Sequence, residues 1–103
     1  MSIEAITLEI RHAMSSAHIT PSDFAVWLQL ELVPVSGGVP GLRNGNRLTY
    51  DDEASPEIQA SQIARGACAF ALAHMGFLYD VKPHELAVAL FGEAIDAQQR
   101  AHA

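Results

Sequence analysis

One cysteine and five histidines are the side chains through which this 103-residue chain could do nucleophilic or metal chemistry. Their spacing argues against both. Cys68 and His74 lie six positions apart in a helical stretch, which turns them about 240° away from each other around the axis. Cys68 also sits among alanines, with no cation nearby to favour a thiolate. His12, His18, His74, His84 and His102 form no His-x3-His pair and have no second cysteine to work with. The best metal-ligand set the chain offers is His74, Asp80 and His84, with Glu85 close by, and turn and capping roles explain Asp80 and Glu85 more economically. His74 stands one turn from a helix end whose dipole favours the protonated ring, as a structural histidine or a pH-sensitive contact. Asp51-Asp52-Glu53 lacks the alternating oxygen ligands of a calcium loop and reads as a solvated run ahead of a helix. No cofactor motif is present, and no enzyme activity is expected.

The arginines are more informative. Arg43 and Arg47 flank Asn44-Gly45 in a glycine-rich segment, either as contacts for an acidic partner or as protection of an exposed hairpin edge. Arg65 has no acid three or four positions away, so it needs a partner elsewhere in the fold or on another protein. The six Lys and Arg are scattered against twelve Asp and Glu, for a net charge of −6. No basic stripe exists to neutralise phosphates, so nucleic-acid binding is not expected. A single cysteine excludes an intrachain disulfide. No leader or lipidation motif is visible, and no apolar run reaches the ~20 residues of a membrane span, so a reducing cytoplasm is the expected setting.

The elements that position these residues centre on 55–77, SPEIQASQIARGACAFALAHMGF. Ser55 suits the N-cap, Pro56 the first helical position and Gly76 the left-handed stop. Glu57, Ser61 and Arg65 form one wet stripe; beyond it the helix is apolar on nearly every face, the pattern of a helix surrounded by its own fold. The small residues Gly66, Ala67, Ala69, Ala71 and Ala73 allow close approach of neighbouring helices.

A first helix is predicted over 3–17, with Ile3, Ile6, Ile10, Ala13 and Met14 on one face and Glu4, Arg11 and Ser15 opposite. A second is predicted over 21–32: Thr20 caps it, Pro21 opens it, Asp23 closes a capping box and Ile19 staples onto Phe24. Its end alternates like a strand through Leu28-Gln29-Leu30-Glu31-Leu32, but the start signal favours helix. Pro34, Gly37, Gly38, Pro40 and Gly41 forbid a helix after it. A β-hairpin is expected over 39–50, turning at Asn44-Gly45 in a type I′ turn with Leu42 and Leu48 inward. Helices over 56–76 and 83–100 complete the chain. The run 19–28 echoes 81–90 in its proline, acid, staple pair and Ala-Val-x-Leu core, the mark either of an old duplication or of features that good helix starts share for physical reasons. The expected architecture is therefore mostly α: one domain of two helical hairpins with a small β-hairpin inserted between helices 2 and 3.

Two apolar helices are more than a domain of this size can enclose. The surplus points to Trp27 and Leu30 as partner-facing residues, joined by Arg43, Asn44, Arg47 and Arg65. The partner would be another protein or, for the apolar surface, a second copy of the chain. Residues 20–32, a Thr-Pro-Ser-Asp-Phe run followed by Trp-Leu-Gln and Glu-Leu, resemble a segment of small uncharacterised phage proteins, without the glycine and aromatic that follow Trp-Leu-Gln there. The resemblance implies a phage or bacterial origin and no catalytic residues. The reading is a non-enzymatic interaction module, an inhibitor or accessory subunit; the alternative is a regulator that binds a small ligand or metal in a histidine-lined pocket between the helical hairpins.

Overall fold

The computed structural model describes residues 3–16, 18–74 and 81–92. Four helices and a small three-stranded sheet make up these residues: α1 (Ile3–Met14), α2 (Pro21–Trp27), β1 (Glu31–Val35), β2 (Gly41–Arg43), β3 (Arg47–Asp51), α3 (Pro56–His74) and α4 (Pro83–Phe91). The class is a helix-rich α-plus-β fold, with more sheet than the sequence suggested.

α3 is the hub. It packs against α2, α4, β2 and β3. Ser55 starts it as expected, its Oγ accepting the Ile58 N–H at 3.3 Å. Ile63, Ala64, Ala67, Cys68 and Ala71 are buried between the neighbours. The wet stripe is shorter than its pattern implied, because Ser61 is also buried. Gly66 has a specific cause: a Cβ there would overlap Leu48 Cδ1 and stand 3.2 Å from Leu48 Cγ. The close approach that the small residues allow is thus taken up by a strand as well as by helices.

The helix starts follow the sequence. Thr20 Oγ1 accepts the Asp23 N–H at 3.0 Å, and Asp23 Oδ2 accepts the Thr20 N–H at 3.4 Å. The echo of this segment repeats the device in part, with Glu85 Oε2 accepting the Lys82 N–H at 3.4 Å. The equivalent pairs Phe24 and Leu86, and Ala25 and Ala87, are all fully buried.

The helix ends do not follow it. α1 stops at Met14 rather than 17, and α2 at Trp27 rather than 32. Both close in a Schellman arrangement without glycine. Ser15 (φ 53°) and Gln29 (φ 63°) take the left-handed position. The Leu30 N–H reaches Ala25 O at 2.9 Å and the Gln29 N–H reaches Val26 O at 2.9 Å. The Asn46 side chain then donates to Gln29 O at 2.7 Å, and the Glu31 N–H donates to Asn46 O at 2.8 Å, which sets residues 31–35 into the sheet. A left-handed non-glycine residue costs about 1–2 kcal/mol, part of which glycine loses again in the unfolded chain. Gln29→Gly is therefore expected to stabilise the fold by about 0.5–1 kcal/mol, read as a higher urea midpoint.

β1 joins the sheet in parallel with β3, and β2 pairs antiparallel on the other side, giving the order β1-β3-β2. The hairpin expected over 39–50 is present as β2 and β3. Arg43 pairs with Arg47 across a three-residue connection, Asn44–Asn46, rather than a two-residue type I′ turn. Leu32, Leu48 and Leu42 are in register across the three strands, and all belong to the core or pack on it. Asp51 ties the sheet end to its loops, its Oδ1 accepting the Gly37 and Glu53 N–H groups at 3.0 Å each. The acidic run 51–53 is thus partly structural.

α4 ends at Phe91, where Gly92 (φ 94°) leaves the helix, so the helix expected to 100 breaks at that point. Residues 93–100, Ala17 and the predicted stop at Gly76 lie outside the described residues. α1 packs on α4. Arg11, expected on the wet face, is half-buried and donates to Ala89 O at 3.1 Å, a carbonyl in the last turn of α4.

Candidate functional site

The thiol is set apart from chemistry by burial. Cys68 is fully buried, and desolvation pushes its pKa well above the ordinary thiol range. The unfolded chain loses the proton above about pH 8.5 while the folded protein keeps it. The stability tied to the neutral thiol is complete below that pH and falls above it by about 1.4 kcal/mol per pH unit. Unfolding free energy measured between pH 8 and 10 is expected to fall more steeply for the wild type than for Cys68→Ala. Equal slopes would mean that the thiol ionises in the folded protein.

The described histidines do not assemble. His74 is exposed, stacked on Phe70 at 4.2 Å between ring centroids, with Nδ1 3.1 Å from Phe70 O. His84 is half-buried on the first turn of α4. Asp80, the third member of the expected set, lies outside the described residues. Among the described residues no three His, Cys, Asp or Glu side chains come together as a metal-ion site.

The residues expected to face a partner separate in the structure. Leu30 is a correction: it is 6% exposed and belongs to the core, because the Schellman turn at Gln29 folds it inward. Trp27 is 37% exposed, lies stacked on Phe24 at 6.1 Å, and follows Val26, which is 66% exposed. Arg43 and Arg47 are exposed but engaged. Arg43 donates to Val39 O at 2.9 Å and Leu42 O at 3.1 Å, covering carbonyls beside edge strand β2. Arg47 pairs with Glu31 at 3.4 Å, its neighbour across the parallel ladder. This exposed pair adds little stability. Asn44 is exposed at the hairpin tip.

Arg65 differs from both. It is exposed, and among the described residues it makes no ion pair or hydrogen bond. It lines a groove of about 290 Å³ with Gln62, Gly66 and Ala69 of α3, Pro40, Gly41 and Leu42 at the β2 edge, and Pro83 at the start of α4. Among the described residues, neither an acid nor a histidine lines this groove. A second cleft of about 370 Å³ has His18 on its wall, with Arg11, Thr20 and Phe91, but Arg11 is committed there to the end of α4.

Gln62 is the residue that sequence reasoning missed. Its Oε1 accepts the Asp51 N–H at 2.8 Å, and that donor fixes the amide orientation. The signal was available in its spacing, three residues before Arg65 and so on the same helix face. Compared with known proteins, the chain matches no family model, no curated sequence and no solved structure.

Proposed function

We propose that this protein is a small non-enzymatic interaction module, an inhibitor or accessory subunit of phage or bacterial origin that acts by binding another protein. The observation that carries the reading is the apolar end of α2, where Val26 and Trp27 stand 66% and 37% exposed beside a core that already encloses Phe24, Ala25 and Leu30. Aromatic side chains held rigidly at a surface are favoured anchors of protein interfaces. The net charge of −6 favours a protein partner over a nucleic acid. The buried free thiol suits a reducing cytoplasm. The same reading keeps the helices as two hairpins flanking the strands; the packing of α3 on α4 supports the second. The histidine-lined pocket gains no comparable support.

Light scattering over a dilution series tests the reading first. A dimer that Val26→Ser/Trp27→Ala converts to monomer, with an unchanged circular dichroism spectrum, assigns this surface to self-association. With a monomeric wild type, the same double substitution is expected to abolish binding to a purified partner. If the substitutions leave every measured association intact, the surface is not the interface.

A further inference from the structure

We propose that the groove between β2, α3 and the start of α4 receives an acidic side chain from an extended segment of a partner protein, held by Arg65 and Gln62. The proposal rests on the interaction reading above but uses a different surface, since Trp27 does not line this groove.

Three observations converge. Among the described residues of the groove lining, Arg65 is the only charged side chain, on a chain with twice as many acids as bases. Arg11, Arg43 and Arg47 all have protein partners, whereas Arg65 has none among the described residues. Its potential faces a groove whose described lining carries no countercharge, which is complementary to an anion.

Gln62 supplies the second donor. With its oxygen held by the Asp51 N–H, its Nε2 group is the donor left over, one turn from the guanidinium on the same face of α3. A planar guanidinium beside an amide N–H suits the two oxygens of a carboxylate. A single arginine is a poor match for a phosphate, whose charge near −2 is normally met by a cluster.

The remaining described walls are apolar or backbone: Leu42, Ala69, Pro40, Pro83 and two glycines. They accommodate the aliphatic part of a glutamate and one neighbouring apolar side chain. At about 290 Å³ the groove admits a short segment rather than a folded surface. Strand addition to β2 is opposed by Arg43, which already covers Val39 O and Leu42 O. The segment therefore binds through side chains.

The test uses the full chain, labelled with nitrogen-15, and the blocked peptide acetyl-Ala-Leu-Glu-Leu-Ala-amide with its glutamine counterpart. The glutamate peptide is expected to shift the Gln62 side-chain amide and the Arg65 Nε–H resonances saturably. Binding should weaken about tenfold with the glutamine peptide, and likewise with Arg65→Gln, the scale of one charge-assisted hydrogen bond. Trp27→Ala should leave it unchanged. Equal shifts from the two peptides, or no shift of either resonance, would overturn the proposal. Inorganic phosphate competing better than acetate would overturn the carboxylate assignment. A silent groove together with association lost on substituting Val26 and Trp27 removes this inference alone; glutamate binding without any association through that apolar surface removes the α2 interface and leaves the groove standing.

Discussion

Phe24→Ala is expected to lower the unfolding free energy by about 3–5 kcal/mol, the range for deleting a buried aromatic ring. Phe24 is 0% exposed and lies 6.1 Å from both Trp27, stacked at 17°, and Phe91, tilted at 56°. It therefore binds α2 to the end of α4. α2 has only seven residues, too few to persist as an isolated helix, so its order depends on this contact. A domain of this size has about 5–15 kcal/mol in total, so the variant should be near half-unfolded at the lower end of that range. Urea titration followed by Trp27 fluorescence measures the loss directly. Phe24→Leu keeps most of the volume and should cost far less. A loss under about 1 kcal/mol for alanine would show that the ring cluster does not anchor α2.

The second large effect lies where α3 meets the sheet. Leu48→Ala should cost about 2–5 kcal/mol, because Leu48 is fully buried on the central strand. Gly66→Ala brings two opposed terms: about 1 kcal/mol of helix propensity gained, against an overlap with Leu48. Overpacking of this kind costs about 1–3 kcal/mol. Leu48 has no free side to retreat to, so the overlap should win and the variant should be less stable. The two substitutions relieve each other, since the new methyl group enters space the leucine has left. The double variant is expected to be more stable than the sum of the singles by about 1–2 kcal/mol. Additive effects in a double-mutant cycle would mean that the strand and helix do not approach as closely as described.

Helix starts were legible in the sequence because their signals are local. Thr20, Pro21 and Asp23, like Ser55 and Pro56, act within a few residues of themselves. α3 was legible as the centre because its apolar pattern lacks a consistent wet face. The ends of α1 and α2 were not legible, because Ser15 and Gln29 replace the expected glycine. At Gln29 the stop is aided by tertiary contacts: Leu30 entering the core and the Asn46 amide on Gln29 O. The alternation at 28–32 carried the strand signal for β1, and the strong start signal of the preceding helix obscured it. At the candidate site, Arg65 was legible because no acid stands near it in sequence. The partner of Arg47 was not, because Glu31 comes within reach only through parallel pairing across sixteen positions.

The bond from Arg11 to the end of α4 also bears on the order of assembly. It joins residues 78 positions apart, whereas β1 and β3 close a loop of about sixteen. By the logarithmic dependence of loop closure on length, the longer loop costs about 1.4 kcal/mol more chain entropy. The strands and α3 can form a nucleus from shorter-range contacts, leaving α1 to dock once α4 is in place. The cost of docking α1 then appears in the kinetics: contacts made after the rate-limiting step chiefly govern how fast the native protein reopens. Weakening the Arg11 clasp would accordingly speed unfolding while leaving refolding nearly unchanged.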